Sequence, residues 1–446
     1  MSERRSVLKH ALTVLVGQLA VISFGVTDTI VAGRYDPHAL AALSIGSAIY
    51  ISVYVALMGV LQALLPMLAE LHGAKSYRKV GELFHQGVYL LGLLSLLGIA
   101  VLLSPGLILQ WTKVPEDLHE IIIDYLFLLA VALPPALFFR MFSSLSQSLG
   151  KPKTVAFIQV AGLAVKIPLS ILLTFGFDVL EPRGLQGCAL ATVMVNFGML
   201  FISLWLLKNS AVFQPYGIWK KLYPPNLKDI GHITRLGIPN GLSVTVEVTS
   251  FTMMALFIAR LGTSASASHQ VAANLAALLY MVPLSFSIAT SARASYWIGA
   301  RNIEMMKKSV RSGFELLFIT AFALTGLVWL GHKEVAHIYV KDPSVIQLTS
   351  ELIGLVALYH FFDAIQTICF FVLRSLKVVF MPFIIYSCML WGLGLGGGFM
   401  LAYEYDVIFF QSPSAFWLSS STALTFVSLF LLILLRMKLN RFASEP

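Results

Sequence analysis

Residues 84–105 read FHQGVYLLGLLSLLGIAVLLSP, a run without Asp, Glu, Lys or Arg. Coiled as an α-helix, at about 1.5 Å per residue, such a run matches the ~30 Å hydrocarbon core of a bilayer. Hydrocarbon offers no partner to backbone amides and carbonyls, so the run must satisfy them itself, as a helix. The rest of the chain repeats this design. Segments of spanning length lie at 11–33, 39–66, 84–105, 121–147, 153–175 and 184–207, and again at 230–260, 267–295, 310–331, 344–373, 378–402 and 407–436. The chain is 58% hydrophobic and 12% charged, whereas a soluble domain carries roughly 25% charged residues. Little sequence is left for a domain in water.

The loops give an orientation. With an even number of spans both termini share one side, and 22 of the 31 Lys and Arg residues fall there. The other side has six, Arg34, Lys113, Arg183, Arg260, Lys333 and Lys341. Basic loops stay in the cytoplasm, so both termini are expected there. This bias accounts for the net charge of +9 without a nucleic-acid partner. Arg4, Arg5 and Lys9 precede a span-length run with no small-residue cleavage site, which predicts a retained first helix and not a signal peptide. Cys188, Cys369 and Cys388 lie in apolar segments, form no CxxC pair and read as small core residues.

A shift of 226 residues lays Gly73-Ala74-Lys75 on Gly299-Ala300-Arg301, Tyr54 on Tyr280, Gly87 on Gly313 and Lys151 on Lys377. One offset across four helices indicates an internal repeat of six helices. The expected fold class is therefore an all-α membrane protein with twelve transmembrane helices in two six-helix lobes, related by a pseudo-two-fold along the membrane normal. The expected domains are an N-terminal lobe at 1–207, a cytoplasmic linker at 208–229 with Pro215, Pro224 and Pro225, and a C-terminal lobe at 230–446.

Charges inside spans are expensive and mark function by default. Glu247 sits in mid-helix in LSVTVEVTSF (242–251), with Ser243, Ser250 and Met254 on its face. Asp363 has Tyr359 one turn before and Thr367 one turn after, oxygens suited to a proton or a hard cation such as sodium. Lys166 is central in the fifth span and needs a counter-charge or a wet cavity. Asp28, toward the far end of the first span, is its nearest logical partner, and a pair would keep Asp28 ionised. A structural salt bridge and a functional one fit equally. Arg140, Arg293 and Arg374 lie near helix ends and are expected to snorkel, and His269 to cap or pack. Pro134-Pro135, Pro168, Pro239, Pro283 and Pro382 interrupt spans as hinges or static kinks.

The chain contains no GxxxxGK[ST], HExxH or GxSxG pattern, and no nucleophile–base set or His/Cys/Asp cluster in its spans. No enzyme, catalytic residue or cofactor is expected, and ATP does not act through this chain. An ion gradient, of sodium or protons, is the expected driving force.

Several stretches together are similar to the multidrug and toxic-compound extrusion (MATE) family, in its NorM-like branch. They are Phe24-Gly25-Val26-Thr27-Asp28-Thr29-Ile30-Val31-Ala32-Gly33, Pro66 through Gly73-Ala74, Leu236-Gly237-Ile238-Pro239 with Glu247, His269-Gln270-Val271-Ala272-Ala273-Asn274, and Asp363-Ala364 with Leu373-Arg374. The resemblance covers nearly the whole chain. It implies two six-helix lobes around a cavity and export of organic, often cationic compounds against sodium or proton entry. It implies cation coupling at Glu247 and Asp363 with Tyr359, and places Phe251, Asn274 and Asp28 beside the substrate or first-lobe cavity. Two positions depart from the pattern: Thr13 where a proline is common, and Lys166 where an asparagine is common. A lysine there competes with any cation near Asp28, which places coupling in the second lobe.

The expectation is a secondary antiporter in a bacterial inner membrane, monomeric because each chain holds both lobes, with no metal except a sodium ion at Glu247 and Asp363. The alternative is a flippase for a lipid-linked or amphipathic metabolite, with Lys166 facing an anionic headgroup.

Overall fold

A computed structural model describes residues 2–106, 109, 115–177, 181–339, 342–404 and 411–444. Lys113 and Lys341, counted above among the outer loop bases, lie outside the described residues. Twelve helices in the described residues are long and apolar enough to cross a membrane. They are α1 (Glu3–Tyr35), α2 (Pro37–Gly73), α3 (Tyr77–Leu102), α4 (Glu116–Ser148), α5 (Pro152–Phe175), α6 (Leu185–Asn209), α7 (Leu227–Ala259), α8 (Thr263–Gly299), α9 (Ile303–Leu330), α10 (Val345–Ser375), α11 (Phe380–Tyr403) and α12 (Ser414–Phe442). The all-helical expectation and the helix count both hold.

The chain forms two compact units, Val16–Gly241 and Met1–Leu15 with Leu242–Pro446. The sequence suggested a boundary at 208–229. The structure divides α1 after Leu15 and α7 after Gly241, and these two points are themselves 226 residues apart. In the unit of Val16–Gly241, Gly237 and Gly241 lie so close to α2 that a Cβ on either would strike the Val60 or Ala56 carbonyl. Asn240 Nδ2 donates to Gly59 O at 2.6 Å in the same contact. The segment expected as a linker also folds onto this unit. Phe213, Tyr216 and Ile218 are buried. Gln86 Nε2 donates to Pro224 O at 3.0 Å, Asn226 N donates to Gln86 Oε1 at 2.7 Å, and the Tyr89 hydroxyl donates to Tyr223 O at 2.9 Å.

The repeat extends to atomic detail. α2 ends with Ser76 N bonded to Leu71 O at 3.0 Å and Lys75 N to His72 O at 3.0 Å. α8 ends with Asn302 N bonded to Trp297 O at 3.0 Å and Arg301 N to Ile298 O at 3.0 Å. These are Schellman ends, which place one residue in the left-handed region. Here those residues are Lys75 and Arg301, both at φ 54°. The ends of α4 and α10 follow the same pattern, with Gly150 at φ 70° and Lys377 at φ 62°. Gly87 packs against Leu64 in one unit and Gly313 against Thr290 in the other, again at the 226 offset.

In the unit of Met1–Leu15 with Leu242–Pro446, one apolar core runs from Val7 and Ala11 through α8, α10 and α12. The α8 face is lined with small residues, Ser287, Ala289, Ser291, Ala294 and Ser295, all buried. Small side chains allow close helix packing where lipid removes the usual hydrophobic drive. α11 begins as an α-helix at Phe380–Ser387, becomes π-helical over Cys388–Gly396 and ends as an α-helix at Gly397–Tyr403.

Candidate functional site

In the unit of Val16–Gly241, Lys166 of α5 has a fully buried side chain, and its ammonium has three partners. It donates to Asp28 Oδ1 at 2.7 Å, to Thr192 Oγ1 at 2.5 Å and to Cys188 O at 3.2 Å. An ammonium has three donors, so all of them are engaged. Asp28 of α1 is 8% exposed, and the Ser170 hydroxyl also points to its Oδ1 at 3.5 Å. The turn between α5 and α6 sets the geometry. Arg183 N bonds Leu173 O and Gly184 N bonds Thr174 O, each at 3.2 Å. Gly187 then meets the Leu173–Thr174 backbone where no side chain would fit. The Cys188 carbonyl and Thr192 are thereby delivered to the lysine. The Asp28–Lys166 pair expected from the sequence is present; Thr192 and the Cys188 carbonyl were not foreseen, because partners one turn apart on another helix leave no trace in spacing.

The other unit holds a second cluster. Asp363 of α10 is 3% exposed and accepts from Gln366 Nε2 at 3.0 Å, while the same amide donates to Thr367 Oγ1 at 3.1 Å. Glu247 of α7 stands close enough to Asp363 for the two carboxylates to repel one another. Tyr280 of α8 faces both carboxylates and reaches Thr367, Tyr359 faces both from α10, and Tyr386 of α11 lies beside Glu247. Two carboxylates in a low-dielectric interior cannot both remain charged without a cation or proton. The structure therefore brings Glu247, Asp363 and Tyr359 together as expected. It adds Tyr280, Tyr386 and Gln366. Tyr280 had appeared in the sequence only as a repeat position, and Gln366 sits one turn from Asp363, a spacing that could have exposed it.

Aromatic rings close one side of this cluster. Phe251 and Tyr359 approach edge-on at 6.0 Å between centroids, and Trp417 packs against them at 6.1 and 5.5 Å. These three residues line a small cavity with Ser250, Met254, Leu390 and Ser420, with room for about one water molecule. Trp417 Nε1 donates to His269 Nδ1 at 3.2 Å, so His269 packs and bonds inside the unit. Asn274 is exposed, and its Oδ1 accepts from Gln270 Nε2 at 3.3 Å.

The three arginines expected to snorkel each have a neighbour inside the fold. Arg374 is buried, with its guanidinium 4.1 Å from the Phe371 ring centre. Arg293 grips Glu3 through Nε at 2.8 Å and Nη2 at 2.6 Å. Arg140 Nε donates to the Tyr54 hydroxyl at 3.1 Å. Among the described residues no group of three or more His, Cys, Asp or Glu is arranged to hold a metal.

The MatE family model matches residues 14–172 and 239–400. The chain is 38% identical over 435 residues to a probable multidrug resistance protein NorM of Aromatoleum aromaticum, covering 97% of this chain and 94% of that protein. It is 29% identical to the multidrug resistance protein MdtK of Proteus mirabilis, covering 95% and 93%. Among solved structures, the fold is similar to the eukaryotic MATE transporter AtDTX14, with a TM-score of 0.87, 18% identity and 98% of both chains covered. It is also similar to a Vibrio cholerae MATE transporter, with a TM-score of 0.89, 16% identity and 99% and 98% covered.

Proposed function

Because this chain belongs to the MATE family, and is thus a multi-pass membrane transporter and not an enzyme, we propose that it is a multidrug exporter working as a secondary active antiporter. It exports organic, cationic compounds and is driven by sodium or proton entry. The printed names of its relatives, probable multidrug resistance protein NorM and multidrug resistance protein MdtK, support efflux of diverse small molecules. The single observation that carries the coupling site is that the Glu247 and Asp363 carboxylates, in the interior of one unit, lie within electrostatic reach of each other, with Tyr359 in reach of both. A cation bound there neutralises the pair. Alternating access follows if the bound and empty sites prefer different conformations, since a ligand shifts an equilibrium only by its differential affinity. Phe251 lines the adjoining aromatic cavity, and Asn274 and Asp28 remain substrate-cavity candidates.

Lys166 supports placing the coupling at Glu247 and Asp363. Asp28 already has a basic partner in Lys166 at 2.7 Å. The flippase reading drew on Lys166 as a receptor for an anionic headgroup, and with three donors engaged the ammonium has none left for that ligand. We place the protein in a bacterial inner membrane on its bacterial relatives, as a monomer because each chain holds both six-helix halves, and with both termini cytoplasmic on the loop-charge bias.

The test is efflux of ethidium from cells lacking their own exporters, with sodium pulsed at fixed pH against a choline control. Sodium-stimulated or protonophore-sensitive efflux that disappears in Glu247→Gln supports the reading. Normal efflux by Glu247→Gln and Asp363→Asn sinks it, and so does absence of dye efflux from protein shown to be in the membrane.

A further inference from the structure

We propose that residues 217–228 form a docking surface for anionic phospholipids, with lysines for the phosphate groups and apolar side chains for the upper acyl chains. The segment joins α6 to α7, from the end of one span to the start of the next, and so lies where a bilayer meets water. It reads GIWKKLYPPNLK, with three lysines and no Asp or Glu. Positive charge at that level is drawn to the negative surface of a bilayer.

The backbone of this strap is fixed. Phe213, Tyr216 and Ile218 are buried at its upstream end. Downstream, Gln86 and Tyr89 of α3 hold Tyr223, Pro224 and Asn226 through hydrogen bonds of 3.0, 2.9 and 2.7 Å. Yet the pinned strap holds its large apolar side chains outward. Trp219 is 54% exposed, Leu222 74% and Leu227 83%. In water each leaves apolar area uncovered, which is unfavourable. Leu227 is the first residue of α7, so the apolar row leads directly into a span. Tryptophan and the stems of lysine suit the interface, apolar along the body and polar at the tip.

Tyr223 gathers the charges. The Lys221 ammonium lies 5.4 Å and the Arg78 guanidinium 5.8 Å from the centre of its ring. Arg78 is answered by Glu82 at 2.9 Å, whereas among the described residues no acid pairs with Lys220, Lys221 or Lys228. A phosphate answers such an array. A phospholipid supplies it together with the hydrocarbon that Trp219 and Leu222 need. A soluble anion would satisfy the lysines alone, and a protein partner would have to displace the headgroup layer.

The test uses the full-length protein in nanodiscs of phosphatidylcholine with a minor fraction of phosphatidylglycerol, one lipid or the other brominated high on its acyl chains. Bromine quenches a tryptophan that it touches, and the Trp219 signal is the difference between wild type and Trp219→Phe. Brominated phosphatidylglycerol is expected to quench Trp219 about fivefold more, per mole of lipid, than brominated phosphatidylcholine, the enrichment that one basic residue near a charged surface confers. Lys220→Gln combined with Lys221→Gln, or high salt, should bring that ratio near one. The thermal midpoint should not move, because both lysines are exposed. Equal quenching by the two lipids in the wild type overturns the proposal and leaves only an apolar anchor. A preference for phosphatidylglycerol that survives the double variant overturns it as well, since the attracting charge then lies elsewhere. Trp219 quenched by neither lipid also overturns it, and would place the strap in water, open to a soluble partner.

Discussion

Lys166 Nζ lies 2.7 Å from Asp28 Oδ1, with the Lys166 side chain fully buried and the Asp28 side chain 11% exposed. The pair is self-contained. Each group is costly without the other, since a buried ion that loses its partner destabilises by about 3–5 kcal/mol, whereas replacing both by neutral groups is often nearly neutral. Lys166→Met is therefore expected to lower the thermal midpoint sharply, and Asp28→Asn combined with Lys166→Met to restore most of it. Melting of the purified variants checks this. The double variant is further expected to keep cation-driven dye export. Loss of export at a normal midpoint would bring the pair into the transport cycle.

Glu247 and Asp363 stand in the opposite relation, like charge facing like charge. Neutralising one member removes repulsion, so Glu247→Gln and Asp363→Asn should melt no earlier than the wild type. Both should lose gradient-driven efflux by at least tenfold, since the site then holds less charge to bind and release a cation. Efflux and melting measured on the same preparations separate this from misfolding, in which both readouts fall together.

Helix number and the repeat were legible because each is written in one dimension. An apolar run of twenty-odd residues has a single meaning in a bilayer, and a 226-residue offset survives folding unchanged. Asp28 with Lys166, and Glu247 with Asp363 and Tyr359, were legible because charge in a span must be answered. Their partners were less so. Tyr386 and Thr192 are ordinary residues in composition and acquire meaning only from the helix packed opposite. The polarity break at 208–229 and the division into compact units fall at different places for a related reason. Pro224 and Pro225 mark a break in polarity, but Gln86 bonds the backbone of Pro224 and Asn226 and ties that break into the fold.

Lys75 and Arg301 occupy the left-handed region at φ 54°, and Lys377 does so at φ 62°. A side chain there costs roughly 1–2 kcal/mol, part of which glycine forfeits through its freer unfolded chain. Replacement of any of the three by glycine should raise stability by about 0.5 kcal/mol or leave it level. Lys75→Val should lower it by about 1 kcal/mol or more, because β-branching crowds this conformation further. Thermal midpoints of the glycine and valine series check the sign. Equal behaviour of Lys75 and Arg301 substitutions would reflect the shared geometry of the two Schellman ends.

Glu3 is buried in the first turn of α1 and is fully engaged by α8 and α9. Arg293 donates to it through Nε at 2.8 Å and Nη2 at 2.6 Å, Trp297 Nε1 at 3.2 Å and Ser309 Oγ at 2.6 Å. Two parallel bonds from one guanidinium are a geometry lysine cannot supply. Glu3→Ala should therefore destabilise by about 3 kcal/mol, at the low end for a buried pair because the Arg293 side chain keeps 27% of its exposure. Arg293→Lys should recover little, although it preserves charge. A double-mutant cycle over Glu3→Ala and Arg293→Ala, read by melting, should return a coupling well above the ~1 kcal/mol of surface ion pairs. A coupling below that level would mean that Ser309 and Trp297 hold the carboxylate on their own. In that case Ser309→Ala, and not Arg293→Lys, would be the variant that frees the first turn of α1.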